Sequence, residues 1–272
     1  MLINKMDNNK KQSRVLVNVL GIPLLLSAIY FGGIYFQCLI FVAIVMSTFE
    51  LNAMCIKKDI QIQLPSILLF YIYLFLTHFI DPLNMEILII SLIFILSFEV
   101  FRNKSNPIEN IAITILAMIW IGIFMNCLVI IRNMSEIGIE MTFVMFISVW
   151  ICDSAAFIFG SKFGKSKILP NISPNKTWLG TISGILSVFC LLFIYFTFIN
   201  KNQTILFPIA LTLIFAIIGQ IGDFVESMVK RQFLVKDSGT SLRGHGGFLD
   251  RMDSLMLAAP AFYLFLKYIM VV

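Results

Sequence analysis

The feature that most constrains this chain is a series of continuous apolar runs, each bounded by short polar breaks. They cover roughly 15–31, 33–53, 65–80, 84–100, 108–131, 141–160, 177–199, 204–225 and 248–270. A membrane-crossing helix needs about 20 predominantly apolar residues. Within a run, polar and apolar residues do not alternate as they do in barrel strands, so a β-barrel is not the expected fold. Composition agrees: 59% of the 272 residues are apolar and only 13% are charged, against about 45–50% and about 25% in a soluble domain. The expected fold is therefore an all-α polytopic membrane protein with about nine spans. The first two spans join tightly around Gly32-Gly33, and the third and fourth turn at Asp81-Pro82. The third and fourth runs are short for full spans.

Charge gives the expected orientation. With the N-terminus in the cytoplasm and the spans alternating, 17 of the 20 Lys and Arg residues fall inside, leaving only Arg132, Lys201 and Lys267 outside. That asymmetry follows the positive-inside rule. The basic N-terminal stretch reads as a retained lead-in to the first span, without a small-residue cleavage site. A basic inner face attracts anionic headgroups and polyphosphates. No basic stripe is interleaved with aromatics on a soluble element, so nucleic acid is not an expected partner. Two histidines and five cysteines without C-x-x-C spacing leave no zinc motif or disulfide framework. No internal repeat is visible. The simplest organisation is one domain, with residues 1–140 as scaffold and 141–272 as the half that carries chemistry.

Two polar constellations stand out in that second half. The first runs from Asp153 to Gly180. An ionisable residue inside a span costs about 2.5–3.5 kcal/mol on insertion scales unless it is paired or faces water, so Asp153 is either a structural hydrogen-bond partner or a site residue. In the Ser173-Pro174-Asn175-Lys176-Thr177 run, Pro174 can open the next helix with Ser173 as its cap. Lys176 and Thr177 would then offer a cation and a hydroxyl where a helix N-terminus favours phosphate. A loop that only fixes topology would need lysines, but not this run or Gly160 and Gly164.

The second constellation runs from Gly222 to Ser254. Asp223, Ser227 and Lys230 or Arg231 share one helix face. Asp250 and Asp253 share another, and the turn Gly244-His245-Gly246-Gly247 lies between. Glycines there admit close backbone approach, and their N–H groups can line an anion site. Carboxylates alone would repel a polyphosphate. Carboxylates holding Mg²⁺ would bind one, because Mg²⁺ takes one or two protein carboxylates plus phosphate oxygens. Two such ions can clamp an in-line displacement at phosphorus. The bland alternative is a solvated loop with internal salt bridges.

Taken in register, Ser227, Lys230, Arg231, Lys236, Asp237, Gly239, Leu242, His245, Gly246, Gly247, Asp250, Arg251 and Asp253 resemble the C-terminal pattern of the phosphatidate cytidylyltransferase (CDP-diacylglycerol synthase) family. The Asp153 block, ending in the Ser-Pro-Asn-Lys-Thr-Trp run, resembles that family's second block. The N-terminal half matches in character only. Arg243 stands where the family usually has proline or a small residue, and Leu179 stands where it usually has an acid. The resemblance implies transfer of CMP from CTP to phosphatidic acid, with CDP-diacylglycerol and pyrophosphate as products. It also implies roles. Asp223 and Asp250 would be Mg²⁺ ligands, with Ser227 close by and Asp237 and Asp253 as second choices. Two divalent sites are expected, one of which another cation can fill. Lys230, Arg231, Lys236 and Arg251 would hold phosphates. His245, Gly246 and Gly247 would turn over the nucleotide, and Asp153, Lys176 and Thr177 would close the cavity. The lipid would enter sideways from the inner leaflet of the plasma membrane, and a homodimer is a further expectation. A polytopic transporter and a related polyprenol or lipid-alcohol kinase are the rival readings.

Overall fold

The computed structural model describes residues 19–79, 85–134, 137–199, 204–239, 241 and 246–269. The expected Asp81-Pro82 turn, the lead-in before Val19, and Arg243 and His245 lie outside the described residues. What is described is helical throughout, with a single isolated antiparallel bridge between Lys167 and Thr177. Nine helices appear among the described residues. The short apolar helix α1 is Val19–Phe31, and α2 is Gly33–Lys58. Next come α3 (Leu64–Leu76) and α4 (Met85–Arg102). They are followed by α5 (Pro107–Arg132), α6 (Gly138–Phe163), α7 (Trp178–Ile199), α8 (Leu206–Gln232) and α9 (Leu249–Ile269).

Six of these, α2 and α5 to α9, are long and apolar enough to cross a membrane. The expected runs and the observed helices coincide within a few residues for most elements, and six of the nine meet this measure among the described residues. Helix α3 has 13 residues, which gives roughly 20 Å at about 1.5 Å per residue, against a hydrocarbon core of about 30 Å. Helix α4 carries Glu86, Glu99 and Arg102 within its 18 residues. Many large apolar side chains point outward, among them Phe31, Phe94, Phe157 and Phe198. That surface suits contact with lipid tails rather than water.

The chain divides into two compact units. One comprises Met1–Val129 with Phe233–Arg251, and the other Ile130–Gln232 with Met252–Val272. In the first, α1 breaks into α2 at Gly32, whose φ of 62° a residue with a side chain rarely adopts. Helices α3 and α5 pack closely at Gly122, where a Cβ would come within 2.5 Å of the Tyr71 ring. The Tyr71 hydroxyl donates to the Ala117 carbonyl at 3.1 Å and lies 2.9 Å from Thr48 Oγ1. The extended link between α2 and α3 is satisfied by side chains. Asn110 accepts from Gln61 N–H (2.7 Å), Asn52 from Ile62 N–H (3.0 Å) and Thr114 from Gln63 N–H (3.0 Å). Buried Glu99 accepts from Gln63 Nε2, Asn110 Nδ2 and Arg102 at 2.7, 2.8 and 3.2 Å. The acidic residue inside α4 is therefore bonded on every side the structure describes, as burial in a low dielectric requires.

In the second unit, α6 and α7 approach over glycines. A Cβ on Gly180 would lie 2.7 Å from the Ala156 carbonyl, and one on Gly184 would lie 3.0 Å from Cys152. Small residues of this kind let helix backbones come close where lipid supplies no hydrophobic drive. Helices α8 and α9 meet the same way at Gly222, where a Cβ would lie 2.5 Å from the Asp253 carbonyl. Phe215 and Phe262 cross edge-to-face at 4.8 Å.

Candidate active site

The expected helix start at Pro174 is not where α7 begins. Ser173 to Lys176 form a turn, with Lys176 N–H donating to the Ser173 carbonyl at 3.3 Å, and the helix opens at Trp178. Its cap is Thr177, whose extended backbone (φ −124°, ψ 150°) lets Oγ1 accept from Gly180 N–H at 3.2 Å. A hydroxyl capping the third residue beyond it satisfies one of the orphan amides of the helix start. Ser173 fails as a cap because its own segment already closes on itself. Ile168 N–H donates to the Lys176 carbonyl at 3.3 Å, and Trp178 N–H to the Ser166 carbonyl at 3.1 Å. The glycines of this block have a cause as well. A Cβ on Gly164 would collide with the Thr177 side chain, and one on Gly160 would sit 3.0 Å from Thr177 Oγ1. Thr177→Ala is therefore expected to cost ~1 kcal/mol of stability, read as a lower thermal midpoint, while Thr177→Ser stays close to wild type.

A cavity of about 520 Å³ opens within the second unit, lined by Asp153, Gly160, Lys167, Lys176, Thr177 and Asp223 among others. That volume falls in the ~300–1,000 Å³ range of small-molecule sites. Residues from α6, the capping turn and α8 thus meet around one space, and four of the expected site residues line it. Lys176 Nζ stands 2.5 Å from Asp223 Oδ2 and 4.6 Å from the centre of the Phe224 ring. Ser227, one turn along α8, donates to Asp223 Oδ1 at 3.3 Å. Asp253 lies in the combined field of Asp223, Asp153 and Lys176. Gln220 ties the cavity floor to its neighbours. It accepts from Thr181 Oγ1 at 2.7 Å and donates to Cys152 Sγ at 3.2 Å.

The remaining basic residues of α8 are held by the protein itself. Lys230 pairs at 2.5 Å with Glu226, whose side chain is fully buried. Arg231 Nε donates to the Ile172 carbonyl at 3.1 Å and so anchors α8 to the turn before Thr177.

The other expected site residues belong to the first unit. Lys236, Asp237 and Arg251 are exposed. Asp250 is engaged: Oδ2 accepts from Gly247 N–H (2.8 Å) and Ser238 N–H (3.0 Å), and lies 3.0 Å from Ser238 Oγ. Gly246 has φ 81° and leaves space for the same carboxylate, since a Cβ there would lie 2.5 Å from Asp250 Oδ2. Among the described residues of the glycine turn, Gly247 N–H is taken by the Asp250 carboxylate.

Two residues of this unit were not singled out by the sequence reading. Glu50, buried within α2, accepts from Phe248 N–H, Leu249 N–H and the Ser238 hydroxyl at 3.0, 3.0 and 2.9 Å. Ser238 bridges Glu50 and Asp250. The signal that could have found Glu50 is the one that found Asp153: an acid inside an apolar run.

No group of three or more His, Cys, Asp or Glu side chains forms a ready-made cation cage among the described residues. Mg²⁺ needs none, because it keeps waters and takes one or two carboxylates with substrate oxygens. Asp153 and Asp223 line the same cavity, and this oxygen-only donor set fits Mg²⁺ and not a softer metal.

The profile described as the cytidylyltransferase family matches residues 12–269. A Bacillus subtilis (strain 168) protein named phosphatidate cytidylyltransferase is 32% identical over 263 residues, 94% of this chain and 97% of that protein. A Staphylococcus saprophyticus protein of the same name is 35% identical over 181 residues, covering 66% and 68% of the two chains. One from Staphylococcus aureus (strain COL) is 38% identical over 186 residues, with the same coverage. The chain belongs to the cytidylyltransferase family.

Proposed function

We propose that this protein transfers the cytidylyl group of CTP to phosphatidate, releasing pyrophosphate and leaving CDP-diacylglycerol in the membrane. The observation that carries the reading is the cavity in which two separate sequence blocks meet, with Asp153, Lys176, Thr177 and Asp223 on its wall. The substrates are those that the name of the Bacillus subtilis relative implies.

The chemistry asks little acid–base work of the protein. A phosphate monoester has a second pKa of about 6, so phosphatidate is largely dianionic near neutral pH. One of its oxygens attacks the α-phosphorus of CTP. The new P–O bond forms as the bond from the α-phosphorus to the bridging oxygen of the β-phosphate breaks, and pyrophosphate leaves with the electron pair. No strong base is required, and the chain has only two histidines. Rate then comes from alignment and from neutralising charge. Lys176 presents its ammonium to the cavity, oriented by Asp223 and the Phe224 ring. Arg231 holds the turn before Thr177 in place. Lys230, Lys236 and Arg251 are the further proposed phosphate contacts, with His245, Gly246 and Gly247 over the nucleotide and Asp237 and Asp253 supporting them.

Asp223 and Asp250 are the proposed carboxylate ligands of Mg²⁺. When bound, the ion supplies charge neutralisation at phosphate oxygens. The Lys and Arg distribution supports a cytoplasmic site in a bacterial plasma membrane with the N-terminus inside. Membranes carrying the protein should release pyrophosphate only when CTP, phosphatidate and Mg²⁺ are all present. Release without phosphatidate would sink this reading.

A further inference from the structure

Glu50 lies within α2 and is 5% exposed. A buried carboxylate is costly unless its oxygens are bonded. Here both oxygens are served from the segment leading into α9. Phe248 N–H reaches Oε1, while Leu249 N–H and the Ser238 hydroxyl reach Oε2. The first amides of a helix have no intrahelical partner, and the positive end of its dipole favours an anion. Glu50 therefore caps α9 from a position 198 residues away in sequence. Two glycines make room for it. A Cβ on Gly247 would collide with the Glu50 carboxylate and the Ser238 hydroxyl, and one on Gly239 would lie 2.9 Å from the same carboxyl group. The Ser238 hydroxyl, also 3.0 Å from Asp250 Oδ2, has one proton and links the two carboxylates into one network.

We infer that Glu50 is a positioning residue for cytidylyl transfer. It holds Ser238 and the backbone at Phe248 and Leu249, and with them Gly247 and Asp250, without touching substrate. The inference rests on the transferase reading above. In that reading, the loop is where a displacement of about 1 Å costs about 100-fold in rate.

The test uses the full chain in membranes. Glu50→Gln exchanges one acceptor oxygen for an amide that faces N–H and O–H donors. It should lower kcat about 100-fold, with the KM for phosphatidate close to wild type and a thermal midpoint that is lowered yet well above the assay temperature. Hydrogen exchange should quicken at the amides of 246–251 and stay unchanged in α6. Gly247→Ala alone should be equally damaging. Combined with Glu50→Asp, which retracts the carboxylate by one carbon, it should recover part of the rate. A kcat for Glu50→Gln within threefold of wild type would overturn the inference. Unchanged exchange at 246–251, or a loss matched by the loss of folded protein, would do the same. If wild type itself releases no pyrophosphate, the transferase reading fails first and the catalytic role goes with it. The exchange data would then report only whether Glu50 holds the loop.

Discussion

Asp223→Asn is expected to reduce pyrophosphate release at least ~100-fold, a loss of ~2.7 kcal/mol of transition-state stabilisation. The substitution keeps the size of the side chain and an oxygen that can accept from Ser227. What it removes is the charge that holds Lys176 at 2.5 Å in the cavity and that serves the proposed Mg²⁺. Lys176 would lose its orienting partner, so the KM for CTP should rise as kcat falls. Insertion into the membrane should not change, because α8 keeps its apolar length. Initial rates across CTP and Mg²⁺ concentrations, with insertion checked by carbonate extraction, measure this. A variant within threefold of wild type would remove Asp223 from the site.

The second large effect is expected at Asp250. Asp250→Ala takes away the acceptor for Ser238 N–H and Gly247 N–H, while the Ser238 hydroxyl keeps Glu50. Leaving a buried donor without a partner costs ~1–3 kcal/mol each, enough to release Gly247 and Ser238 from the start of α9. Turnover should drop below detection while the protein still inserts. Asp250→Asn should be nearly as poor, since its amide would meet donors where Oδ2 now accepts. Retention of a tenth of wild-type activity in Asp250→Ala would exclude both the metal and the loop-organising role.

Particular residues show how much was legible beforehand. The apolar runs located the helices because a lipid-facing helix must be apolar along its whole length, so its ends show as polar breaks. Spanning capacity was less legible. Helix α3 is apolar throughout yet only 13 residues long, and α4 hides Glu99 in a buried network with Gln63, Asn110 and Arg102. The start of α7 was misplaced because Pro174 is a sound first helical residue taken by itself. The bonds that close residues 166–178 into a turn are made between residues about ten apart, and local preference does not reveal them. Asp153, Lys176, Thr177 and Asp223 stand out in the sequence as polar residues at or beside apolar runs, and they line one cavity. Glu50 was not recognised, because its partners at 238, 248 and 249 lie almost 200 residues away. Close backbone approach is legible at the Gly246-Gly247 pair, but that Gly247 makes room for Glu50 is not.

The central claim, that the α-phosphorus of CTP is passed to phosphatidate, is tested most directly by following label. With CTP labelled at the α-phosphate, the radioactivity should move into the lipid extract as CDP-diacylglycerol. With CTP labelled at the γ-phosphate, it should leave as pyrophosphate in equal amount. Label from the γ position in the lipid, with CDP left in solution, would contradict the account and assign the protein to phosphate transfer instead.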